Sequence, residues 1–236
     1  MKIVFVSGCG TEVGKTYVAC SLIRALRQTD QRVGGYKPVA SGCVPAATAL
    51  PRSADADALY HALLGDMSGH GTPGRTKSSL ASLPEPQIQE LICPQRFIAP
   101  VAPDEAAVRE GKRVDIERLL SGVEHWREHC DVLVVEGAGG LFSPIANTML
   151  NIDLLTSLKP SETLLVAPNR LGVIHDVVAT VTAAASREVS IDRLILNSAQ
   201  TGDASHSSNA KQIAHWCPHL KIETIDHGGE LQRMTG

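Results

Sequence analysis

Apolar residues return along this chain in two rhythms. Short, largely apolar runs occupy residues 2–6, 33–39, 132–135, 163–167, 194–196 and 220–225. Between them, apolar residues recur every three or four positions, at Val18, Leu22, Ile23 and Leu26 within 16–27, and again across 116–129, 172–187 and 208–216. The first rhythm predicts strands, the second helices with one face on a core. Strands alternating with helices predict a mostly parallel sheet covered on both faces, a doubly wound α/β fold in three layers, formed as one domain over residues 1–236. Val132-Leu133-Val134-Val135 has no polar alternation and predicts a strand buried on both sides at the sheet centre. Residues 66–86 are rich in Gly, Ser, Pro and Thr and predict an exposed insertion.

The junction between the first strand and the first helix carries the strongest chemistry. Gly8-Cys9-Gly10-Thr11-Glu12-Val13-Gly14-Lys15-Thr16 is a glycine-rich turn feeding a helix N-terminus. Glycines let backbone N–H groups converge on an anion, the helix end adds partial positive charge, and Lys15 reaches terminal phosphates. Thr16 supplies a hydroxyl for Mg²⁺. Five residues rather than four separate Gly8 from Gly14, so the loop is a longer variant of the common pattern. The fold expected is therefore a P-loop NTPase-like sandwich. A second buried strand ends in Glu136 and a flexible Gly137-Ala138-Gly139-Gly140 turn. That ending places a carboxylate at the carboxyl edge of the sheet, opposite the loop hydroxyl, where Mg²⁺ is usually held.

Composition narrows the partners. Twenty-two Lys and Arg stand against 25 Asp and Glu, a formal net charge of −3, with no basic block, which argues against nucleic acid. No run approaches the ~20 apolar residues of a membrane span, and the N-terminal run is shorter than a secretory core. The six cysteines are scattered without CxxC pairs, as expected for reduced thiols in cytoplasm. His125 and His129 are four apart with Cys130 adjacent, a spacing that puts both imidazoles on one helix face, but no HExxH or CxxC accompanies them, so a solvated helix end is expected.

Three segments occur together and in order: Gly10-Thr11-Glu12-Val13-Gly14-Lys15-Thr16, Gly35-Tyr36-Lys37-Pro38-Val39-Ala40-Ser41-Gly42 and Val135-Glu136-Gly137-Ala138-Gly139-Gly140. With weaker echoes at residues 52–56, 97–103, 170–175 and Asn197, this set resembles the dethiobiotin synthetase family of biotin biosynthesis, and the longer glycine loop is that family's variant. The resemblance implies an ATP-dependent cyclo-ligase. In that reaction 7,8-diaminononanoate takes up CO₂ as a carbamate, ATP phosphorylates the carbamate, and the second amine closes a cyclic urea.

It further implies Lys37, Lys15 and Thr11 as catalytic residues, with Ser41, Thr11, Lys37, Gly139 and Gly140 at the substrate. Nucleotide contacts are implied for Glu12, Val13, Gly14, Lys15, Thr16, Tyr17, Asp55, Glu136, Gly137, Ala138, Gly139, Asn197 and Ser198, with Asn197 at the adenine edge. Thr16, Asp55 and Glu136 would hold Mg²⁺, although Asp57 lies on the same acidic stretch and either carboxylate could instead cap a helix beginning there. A homodimer completing its substrate site across the interface is implied as well. Residues 223–229 depart from the Gly-x-Ile-Pro-like turn by which the family grips adenine and ribose, so relaxed preference among nucleoside triphosphates is the corresponding hypothesis. The alternative from another class is a ParA/MinD-like regulatory ATPase, a nucleotide-switched binding module. Its loop carries a lysine where this chain has Gly10, and it often ends in a basic amphipathic helix that residues 200–236 lack. A third reading, an ATP-dependent amide ligase, calls for a glutamine-hydrolysing partner.

Overall fold

In a computed structural model, residues 1–47, 50–65, 79–198, 203–226 and 228–231 are described. The first apolar run forms β1 (Lys2–Gly8), and the glycine loop then opens α1 (Lys15–Arg27). The expected strand at 33–39 is split into β2 (Val33–Tyr36) and β3 (Val39–Ala40). Pro38 has no N–H to continue a ladder, so the chain leaves the main sheet at Lys37, and β3 pairs instead with β4 (Gln95–Arg96). Between β3 and β4 lie α2 (Ala54–Leu64), which begins at the acidic stretch, a 3₁₀ turn (Ser79–Ser82) and α3 (Glu85–Ile92). Of the stretch expected as an insertion, 66–78 lie outside the described residues, whereas Leu80 is fully buried and Glu85 already starts a helix.

Next come α4 (Pro103–Arg109), α5 (Ile116–Ser121), β5 (Val132–Glu136), the hairpin β6 (Pro144–Ala146) and β7 (Met149–Leu150), and α6 (Asn151–Leu158). The helix expected over 116–129 stops at Ser121 and resumes only as a 3₁₀ turn at Glu124–Trp126. The buried Tyr36 hydroxyl lies 3.2 and 3.0 Å from the carbonyls of Arg118 and Leu119, occupying acceptors at the helix end. His125 and His129 therefore do not share one helical face. The chain closes with β8 (Glu162–Pro168), α7 (Val173–Ala185), β9 (Arg193–Asn197), α8 (His206–Trp216) and β10 (Lys221–Ile225).

The main sheet runs β10-β9-β8-β1-β5-β2, all parallel. β5 has a neighbour on each side and is buried throughout, but it stands next to the β2 edge, while β8 and β1 occupy the middle. From β1 to β2 the chain crosses the sheet one way; from β5 through β8 and β9 to β10 it crosses the other way. Right-handed crossovers therefore put α1 on one face and α6, α7 and α8 on the other, giving three layers. All carboxyl ends of the strands share one edge, where the glycine loop and Glu136 meet.

Candidate functional site

Four side chains from four elements converge at that edge. Thr16, in the first turn of α1, has its hydroxyl 2.8 Å from Glu136 Oε1 and 3.0 Å from Asp55 Oδ1; its single proton serves one of them. Glu136 ends β5, and Asp55 sits in the first turn of α2. Lys37, just past β2, donates from Nζ to Glu136 Oε1 at 2.6 Å and to the Gly137 carbonyl at 3.2 Å, and pairs with Asp55 Oδ2 at 2.8 Å. Three ammonium protons thus meet three acceptors, and such full pairing is what permits a lysine only 3% exposed beside a glutamate only 1% exposed. Asp57 is engaged elsewhere, by Arg52 at 2.8 Å and Gln89 at 2.9 Å. Of the two acidic residues left open by the sequence, Asp55 is the one at the cluster.

The charges tune one another. Burial opposes the Lys37 charge, yet Glu136 and then Asp55 outweigh it and hold the ammonium above its ordinary range. Burial pushes the Glu136 carboxyl up despite Lys37. Burial would also raise Asp55, but Lys37 holds it below the usual carboxylate range. Lys15 is drawn down to about 8, by burial first and then by the Lys37 charge, and its Nζ donates to the Gly10 carbonyl at 2.9 Å. The other carboxylate oxygen of Glu136, Oε2, is buried with no hydrogen-bond partner. An orphaned carboxylate oxygen beside a hydroxyl and a second carboxylate is a set of hard oxygen donors, which fits Mg²⁺ shared with phosphates.

The loop around this cluster is tightly built. Gly14 caps α1 at φ 93°, and a Cβ there would stand 2.0 Å from Asn197 Nδ2. Asn197, at the end of β9, donates to the Val13 carbonyl at 3.1 Å, tying that strand to the phosphate loop. Gly140 packs with its Cα so close to the backbone of Gly10 that an added Cβ would come within 3.2 Å. Thr11 and Glu12 are exposed at the mouth, Glu12 with φ 59°, and Thr11 Oγ1 would lie 3.9 Å from a Cβ at Gly139. Ser41 is half-buried immediately after β3.

Several participants left no clear mark in the sequence. Asn151, fully buried at the start of α6, accepts from the Ala138 N–H at 3.1 Å and donates to the Gly140 carbonyl at 2.8 Å, with a further short bond to the Ala138 carbonyl. A single Asn before a short apolar helix reads as a cap, and nothing local marks it as the support of the 137–140 turn. Tyr17 contacts the Gly229 carbonyl through its hydroxyl, Ser21 accepts from the Leu231 N–H at 2.7 Å, and Arg24 pairs with Glu230 at 2.8 Å. Residues 229–231 are thereby strapped along α1, starting one residue beyond Thr16.

A glycine loop joining strand to helix at the carboxyl edge of a parallel sheet, with a hydroxyl, two carboxylates and two lysines around it, defines a P-loop nucleoside triphosphatase architecture. Residues 2–234 match the family described as an AAA domain. The fold resembles that of a ParA family ATPase from Chlorobium tepidum, with TM-score 0.53 and 16% identity over 96% of this chain and 84% of that one. It resembles the signal recognition particle receptor FtsY from Elizabethkingia anophelis comparably, with TM-score 0.53 and 15% identity over 99% of this chain and 62% of that one. These two likenesses concern the fold alone.

The sequence relatives are more specific. The chain is 41% identical to the ATP-dependent dethiobiotin synthetase BioD of Rhodopirellula baltica over 92% of its own length and 80% of that protein. It is 33% identical to the protein of the same name from Anaeromyxobacter sp. over 96% of its length and 91% of that protein. The chain belongs to the dethiobiotin synthetase family.

Proposed function

We propose that this chain is an ATP-dependent cyclo-ligase that converts 7,8-diaminononanoate, CO₂ and ATP to dethiobiotin, ADP and phosphate. One amine adds to CO₂ and loses a proton, giving a carbamate. A carbamate oxygen attacks the γ-phosphorus, ADP leaves, and a carbamic-phosphoric anhydride results. The second amine then attacks the carbamate carbon, and phosphate departs as the ring closes. The phosphorylation step is needed because carbamate oxygen is otherwise a poor leaving group.

In this scheme the loop N–H groups and Lys15 bind the triphosphate, and Thr11 and Ser41 offer hydroxyls to substrate amine or carbamate. Lys37 sets a buried positive charge against the carbamate and the transferring phosphoryl group, in a site dry enough for that charge to count. Mg²⁺ would be held by Thr16, Asp55 and Glu136 and would supply neutralising charge to the phosphates. The observation that carries the reading is Lys37 Nζ at 2.6 Å from Glu136 and 2.8 Å from Asp55, beside Thr16, in a chain of this family.

Incubation with the diamine acid, bicarbonate, Mg²⁺ and ATP is expected to yield one dethiobiotin per ADP by mass spectrometry. ATP hydrolysis with no dethiobiotin would instead favour the regulatory-ATPase alternative. Because residues 223–229 lack the Gly-x-Ile-Pro-like turn of the family, CTP and GTP are expected to support turnover beside ATP; a steep ATP preference would reject that part. We extend the proposal to a cytoplasmic homodimer. Six unpaired cysteines suit a reducing compartment. Exposed Leu171, and Trp216 lining an open cavity of about 620 Å³ with Ile174 and Val178, offer an apolar surface of the kind a partner covers. Among the described residues no helix is long and apolar enough to cross a membrane.

A further inference from the structure

Against β2, the edge strand of the main sheet, α3, α5 and the turn at Glu124–Trp126 enclose a cavity of about 290 Å³ that shares no residue with the Thr16 cluster. Its floor is buried and mostly apolar, made by Tyr36, Pro94 and Gly122, with half-buried Leu83 and Leu91 as walls. Tyr36 fits there because Gly122 has no side chain: a Cβ at that position would stand 2.0 Å from the Tyr36 hydroxyl. The rim is exposed and polar, formed by Gln87, Glu90, Arg118 and His125. A small cavity with an apolar floor and a few polar groups at its mouth suits one small amphiphilic molecule.

The rim carries both signs of charge. Arg118 Nη2 pairs with Glu90 Oε1 at 2.9 Å, joining α5 to α3, and both side chains are largely exposed, so the pair itself contributes little. Arg118 Nε and Nη1 and Glu90 Oε2 have no hydrogen-bond partner among the described residues. A lone carboxylate would meet Arg118 but also the Glu90 charge, and a lone ammonium would meet the reverse. A molecule carrying both, carboxylate toward Arg118 and ammonium toward Glu90, complements the rim while its apolar part covers Tyr36 and Leu91. That molecule is an α-amino acid with an apolar side chain. The cavity also adjoins the reacting centre through the backbone. Tyr36 and Leu91 directly precede Lys37 and Ile92, and the Lys37 N–H donates to the Ile92 carbonyl at 2.7 Å. An occupant that braces α3 against β2 therefore steadies the backbone of Lys37.

We propose that this cavity binds an α-amino acid with an apolar side chain, its carboxylate on Arg118 and its ammonium on Glu90, and that occupancy steadies the Lys37 backbone. NMR titration of the full chain with L-phenylalanine and L-leucine tests it, beside 3-phenylpropionate, which lacks the amine, and 2-phenylethylamine, which lacks the carboxylate. Phenylalanine should shift the amides of Tyr36, Leu91 and Gly122 and bind roughly 10-fold or more tightly than either analogue, the effect of one charge-assisted hydrogen bond. Arg118→Gln should erase its advantage over 2-phenylethylamine, and Glu90→Gln its advantage over 3-phenylpropionate. Amide exchange at Lys37 should slow as the cavity fills. No shift at those three amides with either amino acid, or equal binding of phenylalanine and both analogues, would overturn the proposal. Tightest binding by one of the analogues would overturn the amino-acid class, and unchanged Lys37 exchange in the saturated protein would remove the link to the reacting centre.

Discussion

Asn151→Ala tests whether the turn after β5 is held in place by a single buried side chain. Truncation removes the acceptor for the Ala138 N–H and the donor for the Gly140 and Ala138 carbonyls, all in a site with Asn151 fully buried. Each net hydrogen bond contributes about 1 kcal/mol, and leaving buried partners unsatisfied costs more, so the expected loss is about 2–4 kcal/mol. With a urea slope of about 2–3 kcal/mol/M, the unfolding midpoint should fall by roughly 1 M. Asn151→Asp separates bonding from volume. It keeps an acceptor for Ala138 N–H but sets an oxygen against two carbonyls, and should be destabilised at least as much as the alanine variant. Because Gly137 follows Glu136 directly and its carbonyl accepts from Lys37, a loosened turn should also lower kcat/KM for dethiobiotin formation. Urea unfolding of purified variants, followed by circular dichroism, measures the first effect. A midpoint shift below about 0.2 M, well under the cost of one hydrogen bond, would refute the assignment of Asn151 as the support of this turn.

The remaining expectations follow from the same geometry. Asp55→Asn should raise the Mg²⁺ concentration needed for half-maximal turnover by roughly tenfold or more, whereas Asp57→Asn, remote from the cluster through Arg52 and Gln89, should leave it unchanged. Tyr17→Phe cuts the hydroxyl contact to the Gly229 carbonyl, so amide exchange at 229–231 should quicken while exchange within β1 and β5 stays as it was; unaltered exchange at 229–231 would show that Tyr17 does not hold the strap. Hydrogen bonds from the Ser205 hydroxyl and from the Leu171 and Ser205 N–H groups hold the exposed Asp203 carboxyl down to about 2 against an ordinary 3.8. A depressed folded value contributes stability above the unfolded pKa that is lost as pH falls through the folded one. The Asp203 resonance should thus titrate near 2 by NMR, and a midpoint near 3.8 would contradict these bonds.

The layered fold was legible because long apolar runs and three-to-four spacing are signals of backbone geometry itself. Residues 16–27 and 172–187 showed α1 and α7 to within a residue or two. Short helices were not legible: α3, α4 and α6 span seven or eight residues, about two turns, too few for a period to declare itself. The break in 33–39 was written in Pro38, whose missing N–H outweighs the apolar run around it. At the site, the glycine loop and Glu136 could be placed because a strand end fixes where the next residues go. Lys37 and Asp55, by contrast, were tied to the site by family resemblance, since their meeting depends on how β2 and α2 pack. Asn151 stayed hidden because an asparagine's partners lie across the fold, and local sequence does not reveal them.

The central claim is that Lys37, paired with Glu136 and Asp55 beside Thr16, stands at the reacting centre. Single-turnover chemistry with γ-labelled ATP, bicarbonate and the diamine acid, run on wild type and Lys37→Ala after ATP affinity has been measured for both, addresses it most directly. Wild type should release phosphate only when the diamine is present, in step with dethiobiotin. Lys37→Ala should bind ATP within a few-fold of wild type yet transfer phosphoryl roughly 10²- to 10³-fold more slowly, the usual effect of losing one charge-stabilising donor. Phosphate release at the wild-type rate in that variant would contradict the account.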